Sequence, residues 1–115
     1  MLVAVRLPAL PAGAGCCFLE FARRHGDFAM VGIAAAWEAG VLRLVVFGCE
    51  SHARLAVNAA AAVQGRDLGD EAVRREVAAA LDADLDPAGT LSGRPGTKRH
   101  LARVLALRAL ADLAA

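Results

Sequence analysis

A chain of 115 residues that is 57% apolar, carries a net charge of +1 and lacks tyrosine is one domain with a real core, but has little room for a deep cofactor cleft beside it. The near-neutral charge leaves no electrostatic footprint for nucleic acid, and four Phe and one Trp do not make a base-stacking surface. Alanine, present 28 times, accounts for part of the apolar excess; the remainder points to a surface that a partner covers.

In chain order, Leu2 to Leu7 alternates, with Val3, Val5 and Leu7 on one side, and predicts a short strand. Pro8, Pro11, Gly13 and Gly15 then make a connector that is stiff at first and loose afterwards. A lipoprotein signal ending at Cys16 does not fit this stretch. It has no cationic start, Arg6 interrupts the apolar run and two prolines break it. No apolar run reaches the ~20 residues that span a bilayer. Cys16, Cys17 and Cys49 are an odd set without a CxxC pair, which fits a reducing cytoplasm better than a disulfide framework.

Phe18 to Ala22 reads as a strand and His25-Gly26-Asp27 as a turn. Phe28 to Glu38 reads as a central strand covered on both sides. Val31, Ile33 and Trp37 share one face, and Phe28, Met30, Gly32 and Ala34 share the other. Phe28 and Trp37 are therefore expected in the core or in an interface. Ala39-Gly40 joins this strand to a β-rich partner, Val41 to Phe47. The period then changes to helical. A first helix is expected from His52 to Gln64, ending at Gly65. A second, capped by Asp70, runs to about Leu85 and buries Val73, Val77, Leu81 and Leu85. Thr90 to Gly96 is loop. A third helix covers Thr97 to about Leu113, with Leu101, Val104 and Leu105 inward. Strands first and helices afterwards give an α+β class: a small antiparallel sheet of three to four strands, then three helices packed on one face.

Few residues suggest chemistry. Arg23, Arg24 and Asp27 suit either a surface ion pair worth ~0–1 kcal/mol or a docking contact, since Arg forks carboxylate and phosphate groups bidentately. Cys49 and His52 stand three apart past a strand, as a nucleophilic pair or metal half-site would, or as a buried thiol beside a helix-start imidazole. Asp82, Asp84 and Asp86 imitate a calcium loop, but the sixth and twelfth places hold Pro87 and Gly93. Gly13-Ala14-Gly15 lacks the strand-to-helix setting of a dinucleotide loop. No paired carboxylates, GxSxG or GxxxxGK[ST] occur, so no catalytic, cofactor-binding or metal residues are assigned.

The stretch RRHGDFAMVGIAAAW, with LVAVRLP before it and LSGRPGTKRHLARVLALRAL (Leu91 to Leu110) after it, resembles the C-terminal domain of the FAD-binding medium subunit of molybdenum hydroxylases. This is the carbon monoxide dehydrogenase and xanthine dehydrogenase family. The resemblance covers nearly the whole chain. It implies a single domain over residues 1–115 without the two domains that enclose FAD. It also implies an oxidoreductase assembly whose FAD lies in the flavin-binding domains and whose other partners are molybdenum and iron–sulfur subunits. Arg23, Arg24, Asp27 and Phe28 become the candidate docking residues. Relatives often carry Lys a few residues before the Arg pair; Leu19 and Glu20 stand there instead, so no flavin contact is carried over. The Ala- and Arg-rich composition fits a GC-rich bacterial genome. The alternative is a free-standing module that covers its apolar face by homodimerisation or by binding another partner, without a redox role.

Overall fold

The structure, a computed structural model, describes residues 1–90 and 93–115. Four strands, β1 (Gly15–Phe21), β2 (Val31–Glu38), β3 (Val41–Phe47) and β4 (Arg54–Leu55), form an antiparallel sheet in the order β1-β2-β3-β4. Three helices follow, α1 (Val57–Ala62), α2 (Glu71–Asp84) and α3 (Pro95–Ala114). This is the expected α+β class. α3 packs on β1 and β2, α1 packs on β3, and α2 closes the outside against α1 and α3.

The β2–β3 hairpin is built locally. Glu38 faces Val41, and the two residues between them, Ala39 and Gly40, have φ of 49° and 81°. Two successive positive φ values give the turn whose twist matches that of the flanking strands. Alternation then sorts the side chains: Val31, Ile33 and Ala35 of β2 and Leu42, Leu44 and Val46 of β3 are buried beneath the helices. Each fully buried Val, Ile or Leu among them contributes ~1.5–3 kcal/mol relative to exposure. Trp37 packs half-buried against this core, as expected.

The helices cover only one face of β2. Its other face is filled in by the sheet itself, with the Phe47 ring lying directly over Gly32, where a Cβ would fall 1.9 Å from Cζ. Three further expectations are corrected. Leu2 to Leu7 forms no strand and stays exposed, because among the described residues no segment pairs with it in a ladder. The strand expected from Phe28 begins only at Val31. Asp27 Oδ1 accepts the Phe28 amide at 2.9 Å and the Met30 amide donates to Phe21 O at 2.8 Å, so the chain bulges out before it pairs. Phe28 is left 95% exposed and is no part of the core.

The helix expected from His52 to Gln64 is the third correction. Arg54 and Leu55 pair with Val46 and Val45, the Ala56 amide donates to Leu44 O, and the helix starts only at Val57. Its first turn is satisfied from far along the chain. The Asp84 carboxylate accepts from the Asn58 amide, the Asn58 side chain and the Ala59 amide, each at 2.9 Å. The acidic end of α2 is thus engaged rather than merely solvated. Asp82 accepts from Arg103 Nε at 3.0 Å and lies 3.8 Å from Arg99 Nε, clasping α2 to α3. α2 itself follows expectation: Asp70 caps it through the Ala72 amide at 2.8 Å, and Val73, Val77, Leu81 and Leu85 are buried. In α3, Ala102, Leu105, Ala106, Ala109 and Leu110 are buried, while Leu101 and Val104 are half-buried; three alanines let the helix lie close to the sheet. Leu91 and Ser92 of the expected loop lie outside the described residues.

Glu50 ties the sheet end to the helices. Its carboxylate holds Arg54 and accepts the Asp86 amide at 3.0 Å. The Arg54 hydrogen bond first, and the Asp86 amide second, keep this carboxyl below its ordinary value. A carboxyl depressed in the folded state stabilises above its unfolded value of about 4.3 and loses that contribution as pH falls through the folded value. Thermal melts of the wild-type chain and Glu50→Gln should therefore differ at pH 7 in favour of wild type, and converge as the pH falls through the lowered folded-state value.

Candidate docking surface

The connection between β1 and β2 carries the four residues singled out in the sequence. Arg23, Arg24, Asp27 and Phe28 are all exposed there. The Asp27 amide donates to Arg24 O at 3.2 Å and closes the turn that holds them together. Arg23, Arg24 and His25, with Glu20 and Ala22, line an open hollow of about 380 Å³. Two guanidinium groups and an imidazole around one depression suit a partner that offers carboxylates or another anion.

The sequence reading missed the aromatic part of this surface. The chain has four Phe, and none belongs to the buried core, which is built from aliphatic residues, Ala and Cys49. Phe18 is 63% exposed, Phe21 45% and Phe28 95%, while Phe47 is half-buried. Phe18 and Phe47 stack across the face that the helices leave open, with centroids 5.4 Å apart and planes 19° from parallel. Aromatic rings are the largest apolar groups available to this core, and interfaces are enriched in them. The signal that locates Phe18 and Phe47 is register: Phe18 lies opposite Ala34, Ala34 opposite Val45, and Phe47 opposite Gly32, all on the face turned away from Trp37.

The other candidates separate. Cys49 is buried, with Sγ 3.9 Å from Lys98 O, and burial pushes its thiol up, away from the thiolate a nucleophile needs. His52 is exposed and shares a 2.9 Å hydrogen bond with Ser51 Oγ. The two are not assembled into a pair. Cys17 lies 3.7 Å from Asp112; burial first, and the Asp112 charge second, raise its thiol. Among the described residues, no three His, Cys, Asp or Glu side chains converge as metal ligands would. Leu19 packs against the core and Glu20 lines the polar hollow, so neither presents a cation to a flavin. A second open hollow, about 250 Å³, lies between the β2–β3 turn and α1 and is lined mostly by Ala, Gly and Val. Neither of these two open hollows encloses a volume into which FAD would fit.

Residues 17–113 match the family described as the CO dehydrogenase flavoprotein C-terminal domain. The chain belongs to this family. It is 31% identical over 121 residues to the 6-hydroxypseudooxynicotine dehydrogenase complex subunit alpha of Paenarthrobacter nicotinovorans, covering 96% of this chain and 39% of that protein. Among solved structures it is similar to a chain of carbon monoxide dehydrogenase from Hydrogenophaga pseudoflava, with a TM-score of 0.81 and 28% identity. A chain of quinoline 2-oxidoreductase from Pseudomonas putida 86 follows, with a TM-score of 0.78 and 28% identity. Both matches cover 90% of this chain and 38% of the other. The chain thus spans about two fifths of the length of these relatives. The resemblance read from the sequence holds: the domain is of the type that forms the C-terminal part of a molybdenum-hydroxylase flavin subunit. Among the described residues, no helix is long and apolar enough to cross a membrane.

Proposed function

We propose that this domain is a non-catalytic docking and assembly part of a cytoplasmic, FAD-dependent molybdenum hydroxylase. In this reading residues 1–115 act as one domain, and the FAD is held by flavin-binding domains that this chain joins. The molybdenum and iron–sulfur subunits are its wider partners. The contact is made by Arg23, Arg24, Asp27 and Phe28 on the β1–β2 connection. One observation carries the reading: Phe28 stands 95% exposed at the tip of an arginine-bearing turn, although the fully buried core beneath it holds no phenylalanine and, of the aromatics, only Trp37 packs half-buried against it. An aromatic anchor beside charged forks is the composition of an interface centre.

Titration of the purified chain against the flavin-loaded domains of its parent enzyme tests this. Phe28→Ala and the Arg23→Ala/Arg24→Ala double variant should each weaken association by about 10- to 100-fold. The melting temperature of the isolated chain should barely move, because substitution of an exposed side chain is usually within about 0.5 kcal/mol. The isolated chain should be colourless. Undiminished binding by both variants, or stoichiometric FAD bound by the wild-type chain alone, would overturn the proposal.

A further inference from the structure

The N-terminal arm keeps the pattern of a strand although this domain gives it no ladder. Val3, Val5 and Leu7 share one side and are 82%, 72% and 82% exposed, while Leu2, Ala4 and Arg6 share the other. Among the described residues, none of the backbone amides from Leu2 to Leu7 donates to another segment. We propose that Leu2 to Leu7 is an edge strand of another sheet, one that belongs to the flavin-holding part of the same enzyme. The inference rests on the reading of this domain as a piece of a molybdenum hydroxylase. It does not depend on the docking role of the β1–β2 connection, because it concerns a different segment.

Three features of the arm carry it. The first is the side-chain pattern. A strand lying on a core needs one apolar face and tolerates a polar one. The side of Val3, Val5 and Leu7 is wholly apolar, and two of its three residues are β-branched. Arg6, the one charged side chain from Leu2 to Leu7, falls on the other side. A helix over the same residues would turn Val5 away from Val3 and Leu7.

The second feature is the backbone. In an extended chain the amides and carbonyls of Val3, Val5 and Leu7 point to one edge, and those of Leu2, Ala4, Arg6 and Pro8 to the other. Pro8 has no N–H to give, so the edge it shares is the one turned to solvent. The arm therefore pairs through Val3, Val5 and Leu7 alone and ends the receiving sheet. The third is the connection. Pro8 and Pro11 fix φ on the way into the domain. The Ala14 amide donates to Pro11 O at 3.1 Å, and Gly13 takes a φ of 79°. From this turn the arm leaves unpaired with β1, although β1 ends the sheet and its outer edge is open.

The extent of the matches names the partner. The domain family spans residues 17–113, so the arm precedes it. The match to the Paenarthrobacter subunit nevertheless covers 96% of this chain and so runs back into the arm, while taking up only 39% of that protein. A segment shared with a longer subunit, but outside this domain's family, goes with the rest of that subunit.

Amide hydrogen exchange tests the pairing, resolved by residue in the chain alone and in the assembled, flavin-loaded enzyme. Alone, Leu2 to Leu7 should exchange like an unstructured peptide. In the enzyme Val3, Val5 and Leu7 should slow by about 100-fold or more, while Leu2, Ala4 and Arg6 stay fast. Val5→Pro should abolish the protection of Val3 and Leu7. Ala4→Pro, which removes a donor from the solvent edge, should leave it largely in place. Both isolated variants should melt like wild type, because the arm is exposed in the chain alone. Fast exchange throughout the arm in the enzyme overturns the proposal. So does protection of Leu2, Ala4 and Arg6, or an equal response to the two prolines. Protection that grows with concentration in the chain alone also overturns it, since the partner would then be a second copy. The docking reading fails separately: a protected arm with undiminished binding by the Phe28 and arginine variants removes only that reading, and an unprotected arm with weakened binding by them removes only the strand.

Discussion

Gly48→Val is expected to cost the domain about 3–5 kcal/mol, which is enough to leave it largely unfolded at 37 °C if its total stability lies near the lower end of the usual range of about 5–15 kcal/mol. Two effects add. Gly48 has a φ of +83°, in the left-handed region that costs an L side chain about 1–2 kcal/mol and a β-branched one more. A Cβ placed there would stand 2.7 Å from Met30 O and 3.0 Å from Met30 C. Those are backbone atoms at the entry to β2, so no side-chain rotation relieves the contact. The chain leaves β3 at this point and turns toward the helices, and the displaced segment would carry buried Cys49 with it. Urea titration monitored by Trp37 fluorescence measures the loss. A midpoint within about 0.5 M of wild type would show that the turn relaxes freely. Gly48→Ala should show a smaller loss of the same sign.

Lys98→Ala is expected to be nearly as damaging. Lys98 is 2% exposed at the end of the first turn of α3, and its Nζ donates to Gly48 O at 3.0 Å. Its stem runs past Gly93, and its own carbonyl lies 3.9 Å from Cys49 Sγ. Among the described residues no carboxylate pairs with this ammonium. Truncation removes four buried carbon or nitrogen groups and leaves the Gly48 carbonyl without its side-chain donor, for about 3–4 kcal/mol in all. Lys98→Met separates the parts. It keeps the apolar stem and deletes a buried cation that has no ion-pair partner, so the loss should shrink to about 1–2 kcal/mol. On a domain of this size, each kcal/mol corresponds to roughly 4–8 °C in melting temperature, well within reach of calorimetry. Equal losses for Ala and Met would mean that the ammonium, not the stem, holds the junction.

Both substitutions act where the sheet hands over to the helices, and that junction was the least legible part of the sequence. Lys98 gave no hint of burial, since lysine is almost never fully buried and its helix reads as carrying it toward water. The start of α1 was misplaced for a similar reason. Nothing near Asn58 announces that its cap is Asp84, a residue that becomes its neighbour only when α2 folds back. By contrast, α2 was readable at both its cap and its stripe, because Asp70 and the four-residue spacing from Val73 to Leu85 act within the helix itself. The β2–β3 hairpin was readable because two residues decide the turn.

The candidate surface divides in the same way. The arginine turn was visible as a motif, and the family followed from it. The exposed aromatics were not visible, because a Phe in an alternating strand reads as core from either side. Only the register, with Phe18 opposite Ala34 and Phe47 opposite Gly32, shows that they share the face turned away from the helices.

What the sequence determined by itself was therefore the class of fold, the family, the hairpin and the long helices, all set by contacts between residues a few positions apart. The tertiary structure alone decided which sheet face the helices cover, which charged residue they bury and that every phenylalanine is left outside the core. Those outcomes rest on pairings between distant segments, where burial depends on what the remaining chain brings alongside rather than on the residue's own preference.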